Sequence, residues 1–315
     1  MLSAFGFRLY AIFAVMKKAL VQLNIAVFLW GFTGVLGRLI LLNEGLLVWW
    51  RMFITVISLL VLRFWKKEFE RISWKDALQI FGVGGLVALH WVFFYGSIKY
   101  SNVSISLVCL STIGFFTAFF EPLFMRRRID GIEVLLGVLS IVGIALIFHF
   151  NPHYKIGIAI GLISAVFSSV FSVFNKKLVG RFSAKTLSLY ELGGGWLFWT
   201  LLIPFYWHFF PAESFFPTLH DFGWLLMLSW VCTILAINLS FNALKHVSAF
   251  TQSLVLNLEP VYGIILAFAI YQENKSFNGG FYYGFVLIFI VVILQMWRVS
   301  KPKNKLENEM KMLDY

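Results

Sequence analysis

The feature that most constrains the fold of this chain is its alternation of long apolar runs with short clusters of Lys and Arg. A helix of about 20 apolar residues spans a hydrocarbon core roughly 30 Å thick. Ten runs of this length can be marked, at residues 20–42, 46–65, 76–98, 103–125, 131–149, 156–174, 186–207, 222–244, 248–271 and 279–297. Because 60% of the residues are hydrophobic and only 13% are charged, a water-soluble fold could not bury this much apolar surface. The sequence predicts an all-α integral membrane protein with ten transmembrane helices.

The basic residues predict which helix ends face the cytoplasm, because Lys and Arg concentrate in cytoplasmic loops. With the N-terminus placed inside, 21 of the 26 Lys and Arg residues fall in inside segments. We therefore expect a multi-pass protein of the cell membrane (plasma or inner membrane). Both termini, the tail 1–19 and the basic tail 298–315, are expected to be cytoplasmic.

The first residues contain an apolar run, 9–16, that is too short to span a membrane and lacks a small-residue cleavage site. We therefore expect no removed signal peptide. Met16 followed by two lysines resembles a natural start, so residues 1–15 are expected to be dispensable for membrane insertion.

An internal repeat is indicated by the fourth and ninth spans. Lys99 precedes one and Lys245 the other, and this offset of 146 residues places Ile113 opposite Glu259. Five spans per half force the second half to enter the membrane from the opposite side. The sequence thus predicts two inverted five-helix repeats, at residues 20–149 and 156–297, separated by a short connection. Such repeats commonly move by rocking, which gives alternating access to a central site.

Glu259, near the midpoint of the ninth span, is the strongest functional candidate. A charge at that depth costs at least about 2.5–3.5 kcal/mol unless it is paired or hydrated. One interpretation is a structural ion pair with Arg51, which lies about six residues inside the second span. The other, which we favour, is that Glu259 lines a water-filled cavity, where it contacts a substrate or exchanges a proton. The adjacent Pro260 is expected to break or kink the helix, because it leaves the carbonyl of Leu256 without its usual donor.

Other polar and aromatic residues inside the spans predict the remaining cavity wall. Gln252 falls on the same helical face as Glu259, and His90 lies in the third span; either can instead be a packing residue that bonds a neighbouring helix. Candidates for an aromatic wall, or for a belt at the membrane interface, are Trp30, Trp49, Trp50 and Tyr262. The residues expected to bind substrate are Glu259, Arg51, Gln252, His90, Trp30 and Tyr262.

Two more features of the spans concern the interior of the helix bundle. The sixth span carries a polar stripe that should face inward, since lipid offers no hydrogen-bond partners, and it consists of Ser164, Ser168, Ser172 and Asn175. Small hydroxyl residues also serve helix packing. Glu191 lies about as deep in the seventh span as Arg51 does in the second, so these two positions are related candidates.

Several classes of function lack support. The sequence contains no GxxxxGK[ST], HExxH or GxSxG motif, and its cysteines, Cys109 and Cys232, are isolated. We therefore expect no cofactor and no ATP hydrolysis, so that energy would come from a gradient, with a proton as the candidate coupling ion. The net charge of +11 resides between the apolar runs, which does not favour a nucleic-acid partner. An intramembrane enzyme of the acyltransferase kind would need clustered catalytic residues, and a membrane sensor would need a soluble output domain.

Four stretches carry a resemblance to a known family. They are FLWGFTG at 28–34, WWR at 49–51, SIKYSNVSISLVCLS at 97–111, and NALKHVSAFTQSLVLNLEPVYGIILAFAIYQE at 242–273. On these residues the chain resembles the EamA-type transporters of the drug/metabolite transporter superfamily, over residues 20–297. The resemblance implies a secondary active or facilitative carrier, an exporter or exchanger of a small organic metabolite such as an amino acid.

Within that resemblance, Pro260 and Glu273 stand at the family's spacing in the second half. The first half departs from the pattern, with Gly114 and Arg127 at the corresponding positions. It has instead a displaced pair, Glu121 and Pro122. The two halves are therefore not expected to contribute equally to the site, and the sequence leaves the oligomeric state open.

Overall fold

The computed structural model describes residues 2–67, 70–126, 128–150, 152–247, 252, 255–256 and 258–300, and it is helical nearly throughout. Helix accounts for 86% of the structure, and these ranges contain no strand. The prediction of an all-α protein is confirmed.

Twelve α-helices follow one another in the described ranges. Their bounds are α1 Leu2–Leu39, α2 Glu44–Lys66, α3 Trp74–Tyr100, α4 Val103–Leu110, α5 Ile113–Met125, α6 Gly131–Phe150, α7 Lys155–Val179, α8 Ala184–Phe209, α9 Leu219–Ser229, α10 Ala236–Leu244, α11 Leu258–Tyr271 and α12 Gly279–Ser300. A π-helical segment, Trp230–Leu235, joins α9 to α10. Short 3₁₀ turns occupy Pro152–Tyr154 and Glu273–Ser276.

Six of the described helical stretches are long and apolar enough to cross a membrane. These are Val15–Leu39, Glu44–Lys66, Trp74–Tyr100, Val103–Met125, Lys155–Val179 and Leu219–Leu244. Shorter apolar helices occupy Gly131–Ile147, Leu258–Tyr271 and Gly279–Val291. The chain is thus a multi-pass membrane protein, whereas the number of ten spans stays a prediction.

Two helix boundaries differ from the predicted ones. Helix α1 begins at Leu2, so that nearly all of the predicted tail 1–19 continues the first helix. The fourth predicted span is divided between α4 and α5 at Ser111 and Thr112, whose hydroxyls donate to carbonyls three residues earlier. Such local bonds compete with the regular helical ladder, which explains the division.

The centre of the bundle is built around α3, which packs along α7 on one side and α8 on the other. A Cβ atom added to Gly84 would lie 1.9 Å from the carbonyl oxygen of Glu191, and one added to Gly195 would lie 2.5 Å from the carbonyl oxygen of Gly84. Helices α3 and α8 therefore touch backbone to backbone, as small residues permit in membrane bundles. This contact fixes the position of Glu191 on α8.

Glu273, two residues after α11 ends, connects that helix to the beginning of α4. Its carboxylate accepts from the backbone N–H groups of Val103 and Ser104, at 3.1 and 2.9 Å, and from the Ser104 hydroxyl at 2.5 Å. Arg38, near the end of α1, forms a salt bridge with the same carboxylate. A carboxylate here satisfies N–H groups that have no partner within the helix and complements the helix dipole. We call this cluster the Glu273 cap.

We expect Glu273→Gln to lower the free energy of unfolding by about 1–3 kcal/mol, because charge-assisted hydrogen bonds become neutral ones. The measurement is the thermal unfolding midpoint of the purified protein in detergent. Glu213→Gln, which alters an exposed carboxylate, serves as the control and should leave the midpoint unchanged. An equal midpoint for both variants would show that the Glu273 cap does not stabilise the fold.

Candidate functional site

A cavity of about 80 Å³ lies between α1, α2, α3, α7, α8, α10 and the chain around Glu259. An enclosed water molecule requires roughly 10–15 Å³ of such space, so the cavity has room for several waters or a small solute. Five of the six predicted site residues line it: Glu259, Arg51, Gln252, His90 and Trp30. The structure thus brings together residues that are far apart in the sequence, while their role stays a prediction.

The sixth predicted residue, Tyr262, is not part of the lining. Its ring packs edge-on against Phe28, with centroids 5.3 Å apart, and a Cβ on Gly31 would lie 2.8 Å from the Tyr262 Cβ. Tyr262 is turned toward α1 because these two helices meet there. Trp49 and Trp50 are also outside the lining, where their indole N–H groups donate to Thr200 and to the carbonyl of Phe215, respectively.

Arg51 is buried, with 2% of its surface exposed, and three neighbours hold its guanidinium in place. Its Nε donates to the Thr233 hydroxyl and one Nη donates to the Tyr95 hydroxyl, both at 2.8 Å. The guanidinium also stacks over the Trp91 ring, 3.6 Å from the centroid. Thr233 belongs to the π-helical segment, and such segments frequently occur at functional sites.

The structural ion pair between Arg51 and Glu259, one of the two interpretations above, is not formed. Both side chains are described and buried, yet no contact of 4 Å or less joins their charged groups. Arg51 is occupied instead by Thr233, Tyr95 and Trp91. Within the described part of the chain, Glu259 has no hydrogen-bond partner and borders the cavity. This geometry is the one expected of a residue that meets a solute.

Pro260 is buried and is the third residue of α11. The predicted break beside it involves Asn257, which lies outside the described residues, and so it stays a prediction. Arg127, named above as a departure from the family pattern, also lies outside them.

His90 is both a packing residue and a lining residue. Its Nδ1 lies 3.0 Å from the carbonyl oxygen of Ser164 and 2.8 Å from the Ser164 hydroxyl, and that hydroxyl donates back to the His90 carbonyl. The His90 ring also contacts Phe94 and Phe171. These bonds attach α3 to α7 and hold the imidazole at the cavity.

The most important residue that the predicted site omitted is Glu191. It is 3% exposed, and one carboxylate oxygen accepts a hydrogen bond from the Asn175 side-chain amide at 3.2 Å. Its depth in the seventh span was the sequence signal that could have found it. The inward-facing stripe of the sixth span is found largely as expected, with Ser168, Ser172 and Asn175 on the cavity.

Several lining residues of the first half can be paired with lining residues of the second half, at a spacing that differs from one helix pair to the next. Val87, His90 and Trp91 in α3 stand 150 residues before Ile237, Ser240 and Phe241 in α10. At the spacing of 146 residues, Leu110 and Ile113 correspond to Leu256 and Glu259. Arg51 in α2 precedes Glu191 in α8 by 140 residues. Three of these pairs are apolar in both halves, whereas the other three differ in polarity or charge: His90 and Ser240, Ile113 and Glu259, and Arg51 and Glu191.

The profile of the EamA-like transporter family matches residues 17–149 and 155–297 of this chain. The chain belongs to the EamA-like transporter family. The family and the names of its relatives point to a membrane transporter rather than an enzyme. The resemblance drawn from the sequence is confirmed.

Individual relatives are distant. The transporter YetK of Bacillus subtilis (strain 168) is 26% identical over 82% of this chain and 81% of its own length. The transporter YxxF of the same organism is 26% identical over 62% of this chain and 63% of its own length. Human solute carrier family 35 member F3 is 26% identical over 58% of this chain and 43% of its own length. The chain thus spans less than two thirds of the last two relatives.

A solved crystal structure shares the fold. It superimposes with a TM-score of 0.65 at 15% sequence identity, over 90% of this chain and 99% of the other. At that identity the likeness concerns the architecture alone.

Proposed function

We propose that this protein carries a small organic metabolite, such as an amino acid, across the cell membrane by alternating access. It acts as an exporter or exchanger, either facilitative or coupled to a proton. The solute binds in the central cavity, where Glu259, Arg51, Gln252, His90 and Trp30 contact it. The observation that carries the proposal is the buried Glu259, whose carboxyl group has no hydrogen-bond partner among the described residues and which lines the same cavity as Arg51 and Glu191.

The proposed architecture is ten transmembrane helices in two inverted five-helix repeats. Two observations support it: the family profile matches the chain twice, and both halves contribute lining residues that can be paired at spacings of 140–150 residues. A cavity between two such repeats can open to either side when one repeat rocks against the other. An even number of helices places both termini on the same side of the membrane, and the distribution of Lys and Arg indicates that this side is the cytoplasm.

A carboxyl group in the cavity can couple the movement of a proton to that of the solute. A carboxyl group at the membrane midplane binds either a proton or a solute, and release of one favours uptake of the other. We propose that Glu259 is this group, since it has no hydrogen-bond partner among the described residues. Glu191 is already held by Asn175.

We expect Glu259→Gln to reduce solute uptake at least about 10-fold, because an amide neither binds a proton nor carries a charge. Purified protein in proteoliposomes is incubated with a mixture of small metabolites, and mass spectrometry identifies those that enter only in its presence. Uptake of these solutes is then compared between the wild type and the variant.

Glu121→Gln is the matched control. Glu121 is also a buried carboxyl followed directly by proline, but it lies outside the cavity lining. It should retain wild-type uptake. Wild-type uptake by Glu259→Gln would remove Glu259 from the proposed site, and uptake of no metabolite by the wild type would contradict the proposed function.

A further inference from the structure

Several buried polar atoms on the cavity lack a hydrogen-bond partner. Five such side-chain atoms occur in the part of the chain that the structure describes, and four belong to lining residues: Glu191 Oε2, Asn175 Oδ1, Gln252 Oε1 and Ser172 Oγ. Leaving one buried polar group unsatisfied costs about 1–3 kcal/mol. Native proteins satisfy nearly all of them. The concentration of four at one cavity therefore indicates that water, or a solute that displaces it, bonds to them.

The occupant must donate hydrogen bonds, because the unpartnered atoms are mainly acceptors. The orientation of the Asn175 amide is fixed, since its NH₂ group donates to Glu191 and leaves Oδ1 as an acceptor. In its ionised form, the carboxylate of Glu191 can only accept. His90 adds a further acceptor: its Nδ1 faces the carbonyl of Ser164 and must donate, so Nε2 of the neutral imidazole carries a lone pair.

The charges on the cavity favour a cation. The ionisable lining residues are two carboxyl groups, Glu191 and Glu259, the guanidinium of Arg51 and the imidazole of His90. The guanidinium of Arg51 is already engaged by Thr233, Tyr95 and Trp91. With both carboxylates ionised, the lining carries one uncompensated negative charge, which is unfavourable in a buried site. A proton on one carboxyl group or a bound monovalent cation restores neutrality, so a cationic solute can take the place of that proton, whereas a zwitterion or an anion cannot.

The rest of the cavity lining is largely aromatic, which suits a cation that carries an apolar organic group. Aromatic rings supply much of the wall, from Trp30, Phe94, Phe171 and Phe241. Such rings pack against apolar groups and also attract ammonium ions through their π faces. A metal ion would not bind to these rings, because metal ions take oxygen, nitrogen or sulfur ligands.

We propose that the transported solute is a small organic ammonium ion with at least one N–H group on an apolar or aromatic body. The N–H groups donate to Glu191 Oε2 and Asn175 Oδ1, and the body packs against the rings. This inference rests on the proposed function and narrows its solute class from metabolites in general to amines.

The test uses ligands that share a body and differ in one group. The thermal unfolding midpoint of the purified full-length protein is measured with 2-phenylethylamine, phenylethyltrimethylammonium, 2-phenylethanol, 3-phenylpropionate and phenylalanine. Butylamine, butanol and butyrate repeat the comparison on a smaller body. We expect concentration-dependent stabilisation by at least one primary amine. Its alcohol and carboxylate counterparts should have no effect, and the trimethylated cation, which lacks N–H groups, should bind at least about 10-fold more weakly.

Two variants test the contacts. Glu191→Gln should weaken binding of the stabilising amine at least about 10-fold, because the charge disappears while the side-chain shape is kept. Asn175→Ala should weaken it as well, and it provides an independent variant should Glu191→Gln fail to fold. Glu121→Gln is again the control and should bind the amine like the wild type.

Three results would overturn the inference: no stabilisation by any amine, equal stabilisation by the alcohol, or preferential stabilisation by the carboxylate. Failure of this inference can be told from failure of the proposed function. If proteoliposomes take up another class of solute in a Glu259-dependent manner while no amine binds, only the inference fails. If amines bind but no solute crosses the membrane, the inference about the site stands and the transport function fails.

Discussion

A Gly84→Ala variant is expected to unfold roughly 5–10 °C below the wild type and to lose uptake. The added Cβ would lie 1.9 Å from the carbonyl oxygen of Glu191 and 2.7 Å from the backbone nitrogen of Gly195, so α3 and α8 must separate. Overpacking of this kind typically costs about 1–3 kcal/mol, and in a chain of this size each kcal/mol lowers the midpoint by about 2–4 °C. Separation also displaces Glu191 from the cavity, which is why uptake should fall together with stability. Thermal unfolding and proteoliposome uptake measure the two effects.

Gly82→Ala is the matched control on the same helix. A Cβ added to Gly82 would meet nothing within 4 Å, and alanine favours helix over glycine by about 1 kcal/mol. This variant should be as stable as the wild type or slightly more so, and it should keep its uptake. If Gly84→Ala and Gly82→Ala behaved alike, the close contact between α3 and α8 would not be needed for the fold.

Arg51→Met is expected to reduce uptake by about 100-fold or more. Methionine is apolar and flexible enough to fill the space. Removing one member of a set of buried charges costs stability, so uptake is compared per amount of folded protein. Function should be lost because the only cationic side chain on the described cavity lining has been removed, so that Glu259 and Glu191 are no longer balanced. The measurements are the unfolding midpoint and the rate of uptake of the solute found with the wild type.

Arg63→Met is the control for Arg51→Met, because Arg63 is another buried arginine of α2 and lies outside the cavity lining. The fraction of this variant that folds should take up the solute at the wild-type rate. Arg51→Lys tests geometry, since an ammonium group keeps the charge but cannot reproduce the planar fork that reaches Thr233 and Tyr95. Wild-type uptake by Arg51→Met would show that Arg51 serves the fold alone.

Much of the site could be predicted because a membrane makes buried polar groups conspicuous. Glu259 and Arg51 stand out in apolar runs, since lipid provides no solvent for a charge. Gln252 and the stripe of the sixth span follow from helical periodicity. Tyr262 could not be placed in the same way, because an aromatic ring is equally stable against lipid, a neighbouring helix or a cavity.

The sequence by itself determined that this protein is helical and crosses a membrane several times, and its motifs pointed to the right family. These properties follow from run length, hydropathy and local pattern, all of which are encoded along a single helix. Only the tertiary structure decided which polar groups meet. The contact of Gly84 with α8 brings Glu191 to the cavity, and Trp91, Tyr95 and Thr233 hold Arg51 apart from Glu259. Such pairings depend on the rotation and close approach of separate helices, and therefore on contacts between residues far apart in the chain.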